Sequence, residues 1–147
     1  MEEQARIIIV DDDENIRKTM KAILEDEGYI VDLATSGNEA IEMAEKRNYN
    51  IALLDIRLPD MEGVELLKLI KNNVPRTRKI MVTGYPSMQN AISALNKNAD
   101  AYLVKPVNVE RLLDTVRQQL QLQKEEKNFS EQKVAEFIET RVKEISM

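Results

Sequence analysis

The sequence predicts an α/β chain built on a doubly wound, five-stranded parallel sheet. Three observations carry this prediction. Five short apolar runs rich in β-branched residues are spread along the chain, amphipathic segments of helical periodicity lie between them, and turn-forming residues separate the two. Alternation of this kind covers both faces of a parallel sheet with helices.

The first run, residues 7–10, reads Ile-Ile-Ile-Val and is apolar at every position, as a strand buried on both faces requires. A helix follows with Ile16, Met20, Ile23 and Leu24 on one face, and Gly28 stands where a C-terminal cap is expected. Residues 29–34 form the second strand, after which Ser36 is placed to cap a helix carrying Ala40, Ile41 and Ala44. The third strand, 51–54, precedes a helix marked by Val64, Leu67 and Ile70. The fourth strand, 80–82, precedes one marked by Ala91, Ile92 and Leu95. The fifth strand, 101–104, leads into a fifth helix carrying Val109, Leu112, Leu113 and Val116. Right-handed crossovers leave a flavodoxin-like strand order, 2-1-3-4-5, as the natural arrangement of five such units.

Composition narrows the chemistry. The 147 residues are 43% hydrophobic and 32% charged, which describes a folded chain with a sizeable core. The formal charge of −5 disfavours a phosphate-backbone binder, so no direct nucleic-acid binding is expected. With neither cysteine nor histidine, disulfides, thiolate sites and Ser-His or Cys-His nucleophile pairs are excluded. No apolar run is long enough to span a bilayer, and the acidic start Met1-Glu2-Glu3 differs from a secretory signal, so a cytoplasmic location is expected.

Ligands of doubly wound sheets bind beyond the carboxyl ends of the strands, where the strand order reverses. The first strand ends there in Asp11-Asp12-Asp13, the third in Asp55, the fourth in Thr83-Gly84 and the fifth in Lys105-Pro106. Asp13 is placed to cap the first helix. Asp11, Asp12 and Asp55 would converge, and two carboxylates about 4 Å apart repel by about 4 kcal/mol at an effective dielectric of 20. Such a cluster takes up protons or a cation, and an all-oxygen donor set suits Mg²⁺. A metal, an ammonium and a hydroxyl around one carboxylate form an arrangement for phosphoryl transfer, with the carboxylate attacking in line.

Taken singly, Lys105 reads as a solvated lysine before a turn proline, Thr83 as a strand-end hydroxyl bonded to its own backbone, and Tyr102 as a half-buried strand aromatic. Together, Asp11-Asp12, the stretch Leu54-Asp55-Ile56-Arg57-Leu58-Pro59-Asp60-Met61-Glu62-Gly63, Met81-Val82-Thr83-Gly84 and Ala101-Tyr102-Leu103-Val104-Lys105-Pro106 resemble the receiver domain of two-component response regulators. The resemblance covers roughly residues 5–125. It implies that Asp55 accepts a phosphoryl group from a sensor histidine kinase or phosphotransfer protein. It further implies that Asp12 and Asp55 ligate Mg²⁺ directly, Asp11 largely through water, and Arg57 through its backbone carbonyl. Lys105 would pair with the acceptor and then with the phosphoryl oxygens. Thr83 and Tyr102 would form a switch acting on the face made by the fourth predicted helix, the fifth strand and the fifth predicted helix. The Lys105–Pro106 peptide is expected to be cis.

Residues 1–122 are thus expected to form the receiver and 123–147 a helical extension or linker. Ser130 is placed to cap a separate last helix, striped by Val134, Phe137, Ile138, Val142 and Ile145. That stripe would dock on the receiver, pair with a second copy in a phosphorylation-dependent homodimer, or lead into an output module. Two rival readings stand beside the phosphoacceptor. One is a phosphorylation-silent, receiver-like interaction or dimerisation module. The other is a Mg²⁺-dependent aspartyl-phosphate hydrolase, against which counts Arg57, where such enzymes carry an acid. The leading expectation is a switch that turns over no external substrate.

Overall fold

The computed structural model describes residues 4–70, 75–84 and 99–146. In chain order the elements are β1 (Arg6–Val10), α1 (Glu14–Asp26), β2 (Ile30–Ala34), α2 (Gly37–Lys46), β3 (Ile51–Asp55), α3 (Gly63–Leu69), β4 (Arg78–Thr83), β5 (Ala101–Val104) and α4 (Val109–Ser146). All strand pairs are parallel and their order is β2-β1-β3-β4-β5, as expected from the sequence. Four helices lie among the described residues; the helix expected around Ala91, Ile92 and Leu95 falls outside them.

Strand alternation divides the core into two layers. Ile8, Val10, Ala52 and Leu54 face the layer that contains Ala40, Leu66 and Leu67 of α2 and α3. Ile7, Ile9, Ile51 and Leu53 face the layer that contains Met20 and Leu24 of α1 and Leu112 and Val116 of α4. Each such valine, leucine, isoleucine or methionine side chain stabilises the fold by about 1.5–3 kcal/mol on burial.

Local chemistry sets the helix ends. Asp13 caps α1, its Oδ1 accepting from the N–H groups of Asn15 and Ile16 at 2.9 and 3.2 Å. Gly28, at φ 93°, ends α1: its N–H donates to Glu25 O and that of Tyr29 to Leu24 O, the paired bonds of a Schellman motif. Ser36 caps α2 through Glu39 N–H.

The C-terminal segment differs from expectation. Instead of two helices there is one, α4, 38 residues long and therefore about 57 Å from end to end. Ser130 lies inside it and does not start a new helix. Neither proline nor glycine occurs after Pro106, and residues 117–127 are Arg, Gln, Leu, Lys and Glu alone. These are strong helix formers, and an internal serine costs only about 0.5 kcal/mol. The helix passes residues 122–123 without a break and stays fastened to the sheet beyond them. Gln123 is buried, accepts from Asn50 Nδ2 at 2.9 Å and donates to Asn50 O and Arg76 O at 3.0 and 2.8 Å. Arg78 donates to Gln119 Oε1 at 2.9 Å and to Glu126 at 3.3 Å.

Candidate functional site

Strand register assembles the site. Val10 stands opposite both Ala34 and Leu54, so Asp11 and Asp55 emerge side by side from the two central strands. Asp55 stands opposite Val82, and Thr83 opposite Val104, which carries Thr83 and Lys105 to the same edge. The Lys105–Pro106 peptide is cis, and Lys105 N–H donates to Thr83 O at 2.7 Å.

Oxygens of Asp11, Asp12 and Asp55 lie within 4.8 Å of one another. Their environments differ. Asp11 is buried and both its carboxylate oxygens are engaged: Oδ1 accepts from Asp13 N–H at 2.9 Å and Oδ2 from Lys105 Nζ at 2.8 Å. Asp12 is exposed. Asp55 is 6% exposed and its Oδ1 has no hydrogen-bond partner among the described residues; Lys105 Nζ lies 3.6 Å away. Lys105 thus holds Asp11 more closely than the acceptor expected from the sequence.

The electrostatics follow from this packing. Burial raises the Asp55 pKa above its ordinary value, and the Asp11 charge raises it further; Lys105 and the Arg57 N–H pull in the other direction without cancelling the effect. For Lys105, burial disfavours the ammonium, but its bond to Asp11 and the charges of Asp11 and Asp55 outweigh that and raise its pKa.

An orphaned, buried carboxylate oxygen beside two further carboxylates fits a hard divalent cation. With one lysine against three acids, a dication would compensate the remaining charge.

Thr83 is buried at the end of β4, whereas Tyr102 is 38% exposed on β5. The Arg57 side chain is exposed, and its backbone forms a bridge with Glu62 that closes the loop after β3.

Three supporting residues escaped the sequence reading. Arg17 Nη1 donates to Asp11 O at 2.7 Å. Asp60 accepts from the N–H groups of Gly37 and Asn38 at 2.9 and 2.8 Å, clamping the β3–α3 loop to the start of α2. Gly63 lies so close to Asp55 that a Cβ there would strike the Asp55 carbonyl oxygen. Asp60 and Gly63 lay within the stretch quoted for the resemblance, but their partners lie across the fold; nothing local marks Arg17.

A cleft of about 470 Å³ opens beside Lys105, between α1 and the start of α4, with Ile16, Met20, Ile23, Val107 and Leu112 in its walls.

Comparison with known proteins agrees with this geometry. The family model described as response regulator receiver domain matches residues 7–117. The transcriptional regulatory protein ZraR of Klebsiella oxytoca is 36% identical over 118 residues, covering 80% of this chain and 27% of that protein. The response regulator ArlR of Staphylococcus saprophyticus is 34% identical over 118 residues, covering 80% of this chain and 53% of its own length. The chain therefore spans between about a quarter and a half of these curated relatives. Among solved structures, a CheY-like response regulator receiver domain protein from Methanospirillum hungatei superposes with a TM-score of 0.76 at 47% identity, over 84% of this chain and 99% of that one.

Proposed function

This chain belongs to the response regulator receiver family of two-component signalling, and we propose that within it Asp55 is the phosphoacceptor. The observation that carries this reading is the Asp55 carboxylate, buried, with Oδ1 unpartnered among the described residues and Asp11, Asp12 and Lys105 around it. A carboxylate so placed can attack a phosphorus atom in line. The Asp55 Oδ–P bond forms as the P–N bond of a partner's phosphohistidine, or the P–O bond of a small acyl phosphate, breaks. Water later attacks the same phosphorus and restores the carboxylate. No external substrate is turned over.

Asp12 and Asp55 would hold Mg²⁺ directly in this reading, joined by the Arg57 carbonyl. Asp11, whose oxygens also accept from Asp13 N–H and Lys105, would act largely through water. Bound Mg²⁺ would neutralise charge on the phosphoryl oxygens. Lys105 shifts from Asp11 toward the phosphoryl group as Asp55 acquires it. Thr83 then donates its hydroxyl to a phosphoryl oxygen, and Tyr102, exposed before the reaction, turns inward and changes the β5–α4 face. The cleft beside Lys105 gives a phosphodonor kinase or phosphotransfer protein an apolar seat next to the acceptor. Among the described residues no helix is long and apolar enough to cross a membrane.

The test is intact mass spectrometry after incubation with Mg²⁺ and acetyl phosphate. One added phosphoryl group is expected, absent from Asp55→Asn and absent when Mg²⁺ is chelated. A folded wild-type protein that takes up nothing would instead favour the phosphorylation-silent interaction module.

A further inference from the structure

Arg17 holds the turn that carries two of the three site carboxylates, and it holds that turn from both ends. Its backbone N–H donates to Asp13 O at 3.1 Å, and its guanidinium donates through Nη1 to Asp11 O at 2.7 Å. The residue enclosed between these two carbonyls is Asp12. The helix that carries Arg17 is itself well fixed: Asp13 caps it, and Met20 and Leu24 bury it against the sheet.

The bond to Asp11 O controls more than one atom. A carbonyl oxygen and the Cα of the following residue lie in one rigid peptide plane. The orientation of the Asp11–Asp12 peptide therefore decides where the Asp12 Cα stands. On one side of Asp11 its N–H donates to Ala34 O at 3.2 Å, tying it to the end of β2; on the other side the Arg17 guanidinium ties the carbonyl. The Asp11 carboxylate has anchors of its own in Asp13 N–H and Lys105. The Asp12 side chain is exposed, and among the described residues no hydrogen bond holds its carboxylate. Its direction is inherited from the main chain.

We propose that Arg17 is a positioning residue of the site: by fixing the Asp11–Asp12 peptide, it aims the Asp12 carboxylate at the cation that Asp12 and Asp55 would hold. This rests on the reading of those two residues as the direct Mg²⁺ ligands. Two properties suit a guanidinium to the task. It keeps its charge wherever the protein is folded, so the anchor does not titrate. It also grips a carbonyl and not a carboxylate, so the turn keeps its shape while Lys105 moves from Asp11 toward the phosphoryl group.

The sign of one measurement separates positioning from mere charge. A fixed positive charge near the site repels a dication, so if only the charge of Arg17 mattered, removing it would tighten Mg²⁺ binding. If Arg17 positions Asp12, removing it weakens binding by about 10-fold, the usual consequence of losing a group that orients a metal ligand.

Isothermal titration calorimetry of the full chain with Mg²⁺ reads that sign. Wild type is compared with Arg17→Met and Arg17→Gln, both of which keep a good helix former at this position, and circular dichroism verifies the fold. The Mg²⁺ Kd of Arg17→Met should rise about 10-fold. The Mg²⁺ concentration that half-saturates phosphoryl uptake from acetyl phosphate should rise by the same factor, while the uptake rate at saturating Mg²⁺ returns to that of wild type. Unchanged or tighter Mg²⁺ binding in both variants would overturn the proposal. So would an uptake rate that stays low at saturating Mg²⁺, because that marks a general disruption of the site. A wild-type protein that binds no Mg²⁺ would overturn the assignment of Asp12 and Asp55 and this inference together.

Discussion

Lys105 and Asp11, 94 residues apart in sequence, form the tightest ion pair of the site: Nζ lies 2.8 Å from Asp11 Oδ2 and 3.6 Å from Asp55 Oδ1. The lysine is held by Asp11, the neighbour of Asp55. Lys105→Met leaves the buried Asp11 charge uncompensated, which should cost about 3 kcal/mol of stability in the absence of metal. Urea unfolding with and without Mg²⁺ checks this; the loss should shrink in Mg²⁺, because a cation then takes over part of the compensation. An unchanged midpoint in both conditions would mean that the pair contributes nothing.

Asp55→Asn should stabilise the metal-free protein by about 1 kcal/mol at neutral pH, since it removes a buried charge facing Asp11. The sign follows from the raised pKa of Asp55. A carboxyl that binds its proton more tightly in the folded state destabilises the fold once ionised. That cost is complete above the folded pKa and vanishes below the ordinary carboxylate range. Thermal melts of the two proteins should therefore diverge as pH rises to neutrality and converge in acid. A variant less stable than wild type at neutral pH would contradict this account.

Asp100 anchors the opposite edge of the sheet. It accepts two bonds from Arg76 at 2.6 and 2.9 Å and one from Lys79 N–H at 2.8 Å, with Arg78 at 3.6 Å. Burial alone would raise its pKa, but these partners outweigh it and hold the carboxyl below its ordinary value. The stability it contributes is present above the unfolded carboxylate pKa and is lost as pH falls through the lower folded one. Asp100→Asn should cost about 3 kcal/mol at neutral pH and flatten the acid limb of the stability curve. Chemical denaturation at a series of pH values measures both effects.

Gly63→Ala tests the loop behind Asp55. The added methyl would meet the Asp55 carbonyl, a backbone atom that cannot rotate away. The β3–α3 loop must shift, at a cost of about 2 kcal/mol or more. Phosphoryl uptake from acetyl phosphate should slow, because Asp55 and the Arg57 backbone move with the loop. A variant with wild-type rate and stability would show that this close approach is dispensable.

The sequence by itself determined the five strands and their order. Apolar runs ending in carboxylates, a hydroxyl and a lysine located strand ends, and crossover handedness turned five such runs into one strand order, observed as β2-β1-β3-β4-β5. Asp13, Gly28 and Ser36 were legible as caps because a cap acts within a few residues of itself. What the tertiary structure decided are partnerships over long sequence distances. Lys105 rests on Asp11, Arg17 reaches the Asp11 carbonyl, Asp60 bonds the start of α2, and Gln123 ties α4 to Asn50 and Arg76. Each depends on strand register and on how a helix lies across the sheet, which local pattern does not encode. The same holds for α4. Periodicity located its apolar stripe, but only the packed sheet, ending beneath Gln123, determines which part of that stripe is covered and which is left exposed.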